Sequence, residues 1–211
     1  MTRLEKLISI GSAPRRAEPP HTATLVQQFG SSPAAALLEI LGRKNGFYAF
    51  ESALYVRADR GGAPEYGLVE WNAPSLWRDE YEGISTDGVF FAEDIFGRQF
   101  CLRNEVIGTF EPETGEFTPM ATSIESWADQ ILEDYNVWTG YPLAKEWQAA
   151  HGALPIGSRL ASTIPFVAGG QYALSNVHCI EDVKGMACRA SFAVQIRDLP
   201  DGTTIPFKVT D

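Results

Sequence analysis

Three histidines, three cysteines and a set of carboxylates are the residues of this 211-residue chain that could do chemistry. A zinc site would need His or Cys ligands at short, characteristic spacings, such as H-E-x-x-H or paired C-x-x-C. His21, His151 and His178 are far apart, as are Cys101, Cys179 and Cys188, so neither pattern occurs. His178 and Cys179 are adjacent, but neighbours on a strand point to opposite faces and make a poor nucleophile–base pair. There is no G-x-S-x-G, no P-loop and no G-x-G-x-x-G. Gly169-Gly170, after Pro165-Phe-Val-Ala, reads as a turn or bulge. The expectation is a chain with no metal, no cofactor and no catalytic residue.

The carboxylates offer two readings. Glu51 with Glu93 or Asp94 could flank a cleft and hydrolyse a glycoside, where the separation of the pair sets the stereochemical outcome. Glu93 and Asp94 cannot form the pair themselves, because adjacent strand residues face opposite ways. The second reading is a surface. Between Glu65 and Asp94 stand Glu65, Glu70, Asp79, Glu80, Glu82, Asp87, Glu93 and Asp94, with Arg78 the one basic residue among them. Trp71, Trp77 and Tyr81 interleave, and Trp and Tyr anchor many protein interfaces. The alternative is that these tryptophans are core and the carboxylates a solvated rim. Further on, Glu125, Asp129 and Glu133 repeat at i, i+4 and i+8, a like-charge stripe that costs an isolated helix a few tenths of a kcal/mol per pair. The helix dipole excuses only Glu125. Such a stripe serves solubility or meets a basic partner. The candidate partner-binding residues are therefore Glu70, Trp77, Asp79, Glu80, Glu82, Glu93, Asp94, Glu125, Asp129 and Glu133.

Whole-chain properties point the same way. The net charge is −10 and the pI about 4.8. A direct nucleic-acid binder needs a basic footprint, whereas an acidic surface steers basic partners toward it. Hydrophobic residues make up 45% and aromatics 11%, enough for a packed core in one domain. No run approaches the ~20 apolar residues of a membrane helix, the N-terminus lacks a secretory pattern, and an odd number of scattered cysteines suits a reducing compartment. The expected location is the cytoplasm.

The elements that must position these groups are partly legible. Residues 1–30 read as an extended lead-in, with Ser12–His21 rich in proline. A helix is expected over Ala34–Leu41, with Ser32 as N-cap and Pro33 in the first turn. Gly46–Ala58 reads as extended, and a short helix begins near Pro74. Val89–Phe96, Gln99–Arg103 and Val106–Pro112 read as a meander of strands. A capping box of Thr122 with Glu125 predicts a helix whose apolar face is Ile124, Trp127, Ala128, Ile131, Tyr135 and Trp138. Pro142 breaks it, and a second helix runs to Gly152. The tail 153–211 reads as a β-rich extension, with Met186–Asp198 a strand and Pro200–Gly202 a hairpin turn. The fold class is α+β, with a mixed, mainly antiparallel sheet packed on helices.

Leu37–Val56, then Val89–Leu102, then Gly108–Phe117 leading into Ser123–Leu132, occur in an order that resembles the SUKH superfamily, which includes bacterial immunity proteins and yeast regulators of cell-wall glucan synthesis. The resemblance places the core at residues 31–152. It implies an immunity protein that binds and neutralises a cognate toxin, expected to be a basic nuclease or another nucleic-acid-acting enzyme. A regulatory scaffold of the cell-wall type is the alternative it implies. It carries over no catalytic motif, so the residues named above rest on charge and aromatics alone.

Overall fold

The computed structural model describes residues 1–200, 202 and 203. Its centre is a six-stranded antiparallel meander in the order β1-β2-β3-β4-β5-β6. The strands are β1 (Phe47–Ala49), β2 (Leu54–Val56), β3 (Val89–Asp94), β4 (Gln99–Arg103), β5 (Val106–Glu111) and β6 (Glu116–Ala121). All six residues of β3 are buried, because this sheet is covered on both faces, and covered strands read as continuous apolar runs. On one face Phe91, Phe100 and Ile107 meet Leu4, Leu37, Ile40 and Trp127. These come from helices α1 (Arg3–Ile10), α3 (Ser31–Leu41) and α5 (Ile124–Glu133), with α2 (Thr22–Phe29) contributing Leu25. On the other face Phe90, Cys101 and Phe110 pack on Trp71, Trp77, Tyr81 and the apolar side of α8 (Asp182–Ile196). Trp71 ends the short helix α4 (Leu68–Trp71), and 3₁₀ turns follow at Pro74–Leu76 and Arg78–Tyr81. The α+β class is therefore observed.

A third cluster builds one end of the molecule. Helices α6 (Tyr135–Thr139) and α7 (Tyr141–His151) pack on a two-stranded ribbon of β7 (Ser158–Ser162) and β8 (Val177–Glu181). Leu143, Ala144 and Trp147 enclose Ile95, Leu160 and Val177. The ribbon is tied to the main sheet where the Leu160 amide donates to the Ile95 carbonyl at 2.8 Å.

Several local expectations are corrected. Residues 1–30 are not a continuous extended lead-in. Thr2 and Glu5 form a capping box that starts α1, and Leu4 and Leu7 bury its apolar side. Only the proline-rich middle, residues 11–21, lies outside helices, and it has a task. The Ser12 amide donates to the Tyr48 carbonyl at 2.7 Å and Arg15 to Gly46 at 2.8 Å, which covers the free edge of β1. Gly46–Ala58 is a hairpin rather than one strand, since Phe50, Glu51 and Ser52 all take positive φ and reverse the chain. Helix α5 begins one residue later than expected, on a Ser123–Ser126 capping box, and Asp134 divides it from α6 by capping the Val137 amide. Met186–Asp198 is not a strand. Met186, Ala190 and Ala193 fall on one buried side of α8, at helical period in a helix-forming composition. The expected hairpin at Pro200–Gly202 and the strand after it involve 201 and 204–211, outside the described residues.

One glycine shapes the junction of α6 and α7. Gly140 sits at φ 67°, and a Cβ there would collide with Phe96 and Ile95. Gly140→Ala combines a left-handed strain with overpacking, so it is expected to lower the unfolding free energy by about 2–4 kcal/mol, measured by urea denaturation.

Candidate partner-binding cleft

The residues singled out by charge and spacing fall into three places. Asp79, Glu80 and Glu82 are exposed on the 3₁₀ turn Arg78–Tyr81 and just after it, while Glu70 is half-buried and accepts from the Gly61 amide at 2.9 Å. Trp77, between them, is fully enclosed and cannot anchor a partner. Its indole donates to the Trp71 carbonyl at 2.9 Å, and its ring meets Trp71, Tyr81, Phe90 and Phe110. On α5, Glu125 accepts the Arg3 and Leu4 amides at 2.6 and 3.2 Å, so it caps α1, and Asp129 pairs with Arg3 at 2.8 Å. Two carboxylates of the stripe are thus engaged inside the fold, and Glu133 remains exposed. An i, i+4 pattern gives no sign of this, because α1 arrives from the far end of the chain.

Glu93 and Asp94 are also corrected as surface residues, being 1% and 2% exposed. Glu93 is the centre of a buried ion network, 2.7 Å from Arg57 and 2.9 Å from Arg159. Gln99 donates to it at 2.8 Å, and Asp182 lies 3.8 Å from Arg57. Both arginines hold the Glu93 carboxyl below its ordinary range despite burial, while burial and the charge of Glu93 push Asp182 up to about 7. Glu51 lies in the β1–β2 turn, where it accepts from the Tyr141 hydroxyl at 2.9 Å. The structure does not bring Glu51 and Glu93 into one cleft.

What the sequence missed is a concavity of about 440 Å³ between the β3–β4 turn, the end of β5, the α6–α7 junction and the loop 163–172, within the range of ligand and partner pockets. Four carboxylates line it: Asp94, Glu111, Glu113 and Glu146. Asp94 fixes the β3–β4 turn, accepting the Phe96 and Arg98 amides at 2.8 and 2.9 Å and pairing with Arg98 at 3.1 Å. Arg98 in turn donates to the carbonyls of Val137 and Trp138 at the end of α6. Glu113 clamps the C-terminal loop, accepting from the Ser162 hydroxyl and the Val167 amide, both at 3.0 Å. Glu111 is less engaged, with one oxygen accepting the Glu113 amide at 3.2 Å.

The opposite wall is aromatic. Phe166 and Tyr172 stack at 4.0 Å with their planes 5° apart, and Phe96 meets both edge-on at 5.1 and 5.6 Å. Large apolar side chains stand open around this wall. Tyr172 is 69% and Val137 62% exposed, and Ile164 and Val167, on the same loop as Phe166, are exposed as well. Exposed apolar groups concentrated around a polar concavity mark an interaction site. No spacing rule brings residues 94–98, 111–113, 137–146 and 166–172 together. The available signal was weak: a Gly- and aromatic-rich loop, Pro165–Tyr172, with too few apolar residues to be core.

The carboxylates of the cleft are only partly offset by its arginines. Burial, then the like charges of Glu113 and Asp94, raise Glu111 to about 7. Burial also raises Asp94, partly offset by Arg98. An acid with a raised folded pKa keeps in the native state a proton that the unfolded chain has already lost, so stability falls as pH rises through the window between the two values. Glu111 and Asp182 share this sign. The melting temperature is therefore expected to be about 3–6 °C higher at pH 6 than at pH 8, and Glu111→Gln to shrink that difference, as read by calorimetry.

No family profile matches this chain, and no curated protein matches it significantly. Among solved structures, the chain is similar to the crystal structure of Atu4351 from Agrobacterium tumefaciens, with a TM-score of 0.53 and 11% identity over 89% of this chain and 88% of that one. At that identity the likeness shows a shared fold. Among the described residues, no helix is long and apolar enough to cross a membrane.

Proposed function

We propose that this chain is a protein-binding antidote: it neutralises a basic toxin by seating part of it in the acidic, aromatic-walled cleft. The observation that carries the reading is the cleft itself, where carboxylates and exposed apolar groups meet in one concavity. An interface core pairs apolar anchors with polar groups at its rim, and a net charge of −10 speeds capture of a positively charged partner. The immunity role draws further support from the SUKH-like order of motifs. Placement in the cytoplasm follows from that role and from the scattered free cysteines. The exposed acidic group Asp79, Glu80 and Glu82 adds to the long-range field. It is anchored to the same β5–β6 turn that supplies Glu113, through the Tyr81 hydroxyl on the Pro112 carbonyl at 2.8 Å.

The test is to recover the chain's partner from its host and titrate the purified components against each other. A tight one-to-one complex with a basic protein is expected, with nanomolar or stronger affinity, and with an association rate that falls steeply between 50 and roughly 300 mM salt, as screening predicts. Several weak partners without one dominant complex would favour the regulatory-scaffold alternative.

A further inference from the structure

The cleft's chemistry specifies what enters it. Its aromatic wall offers ring faces, which attract cations and pack against aliphatic stems. Its carboxylates outnumber its guanidiniums, and Arg98 is already matched by Asp94. Arg189, in contrast, is 8% exposed and lines the same cleft. Among the described residues its one hydrogen bond runs to the Leu160 carbonyl at 2.9 Å, and it forms no ion pair. The rest of that guanidinium has N–H groups free to donate to an acceptor that enters the cleft.

We propose that the cleft is a receptor for one lysine or arginine of the partner polypeptide, its stem laid on Phe166 and Tyr172, its cationic head at Glu111 and Glu146, and its backbone carbonyl accepting from Arg189. The inference rests on the reading of the chain as a protein binder and names the contact that reading requires. The titratable and charged groups around Glu111 are Glu113, Asp94, Arg98, Glu146 and Arg189, with the neutral Tyr172 hydroxyl beside them. An arriving cation favours ionised Glu111, so capture is tighter at pH 8 than at pH 6.

The probe is N-acetyl-arginine amide, titrated into the full chain and followed by backbone amide NMR, with the neutral isostere N-acetyl-citrulline amide as control. Shifts confined to the cleft lining, residues 94–98, 111–113, 136–146, 166–172 and Arg189, are expected. The arginine compound should bind at least tenfold more tightly than the citrulline one, and several-fold more tightly at pH 8 than at pH 6. Glu146→Gln, on the exposed side of α7, and Glu111→Gln should each weaken it severalfold while leaving the rest of the spectrum in place. Equal response to both compounds, or shifts elsewhere on the surface, would overturn the receptor. If the probe fails while the purified partner still forms a tight complex, the receptor falls and the protein-binding reading stands. If the probe binds as described but the chain has no protein partner, the receptor stands and that reading falls.

Discussion

Glu93→Ala is expected to cost about 3–5 kcal/mol of unfolding free energy, the range found when one partner is removed from a buried ion network. Glu93 is the anion between Arg57 and Arg159, both fully or nearly fully enclosed. Without it, two guanidiniums remain desolvated with Asp182 as the nearest counter-charge, 3.8 Å from Arg57. Arg57 also lies 3.5 Å over the Trp71 ring, and the Trp71 indole donates to Gln99 at 2.9 Å. The loss therefore propagates to the α8 face of the sheet. Because Arg159 belongs to β7 and Asp182 to α8, the network fastens the C-terminal ribbon and helix to the meander. Glu93→Gln keeps the shape and removes the charge, so it should fall between wild type and Glu93→Ala. Urea denaturation of the three proteins measures this; a loss below about 1 kcal/mol for Glu93→Ala would show that the network is not structural.

The second large effect concerns recognition. The double variant Glu111→Lys/Glu146→Lys is expected to weaken partner binding by at least a hundredfold, and Tyr172→Ala by about tenfold or more. Truncating a buried aromatic anchor costs on the order of 2 kcal/mol or more at an interface, and reversing charge opposite a basic partner costs several kcal/mol. Glu133→Lys, on the exposed end of α5, alters net charge equally per site but leaves the cleft untouched. It should change the association rate slightly and the dissociation rate hardly at all. Titration calorimetry with the purified partner separates the two, after circular dichroism has established that each variant is folded.

Those expectations differ from what charge patterning alone suggested, and the differences have physical causes. The meander was legible because β3, β4 and β5 are short apolar runs divided by turn signals at Gly97-Arg98 and Arg103-Asn104, the second turn falling one residue later in the structure, at Asn104-Glu105. The place of Glu93 and Asp94 on a strand followed from the same runs. Depth did not follow, because a two-sided sheet buries polar residues that a one-sided sheet would expose, and only Arg57 and Arg159, distant in sequence, reveal that Glu93 is enclosed. Glu125 and Asp129 looked like a free stripe because α1, which uses both, lies more than a hundred residues earlier. Helix α8 looked like a strand because Met186–Ile196 is nearly continuous in apolar and small residues, and periodicity is ambiguous in such runs. The cleft was invisible for the most general reason. Its walls come from five separated segments, Arg189 of α8 included, and their meeting depends on the ribbon β7–β8 folding back against Ile95.

The most direct test of the account is a reconstituted inhibition assay. The toxic activity of the purified partner would be measured against increasing amounts of wild-type chain and of the Glu111→Lys/Glu146→Lys variant. Complete inhibition at one equivalent of wild type, with the variant inactive at the same concentration, is the predicted result. Equal inhibition by both proteins would remove the cleft from recognition, and no inhibition by wild type despite tight binding would contradict the antidote role itself.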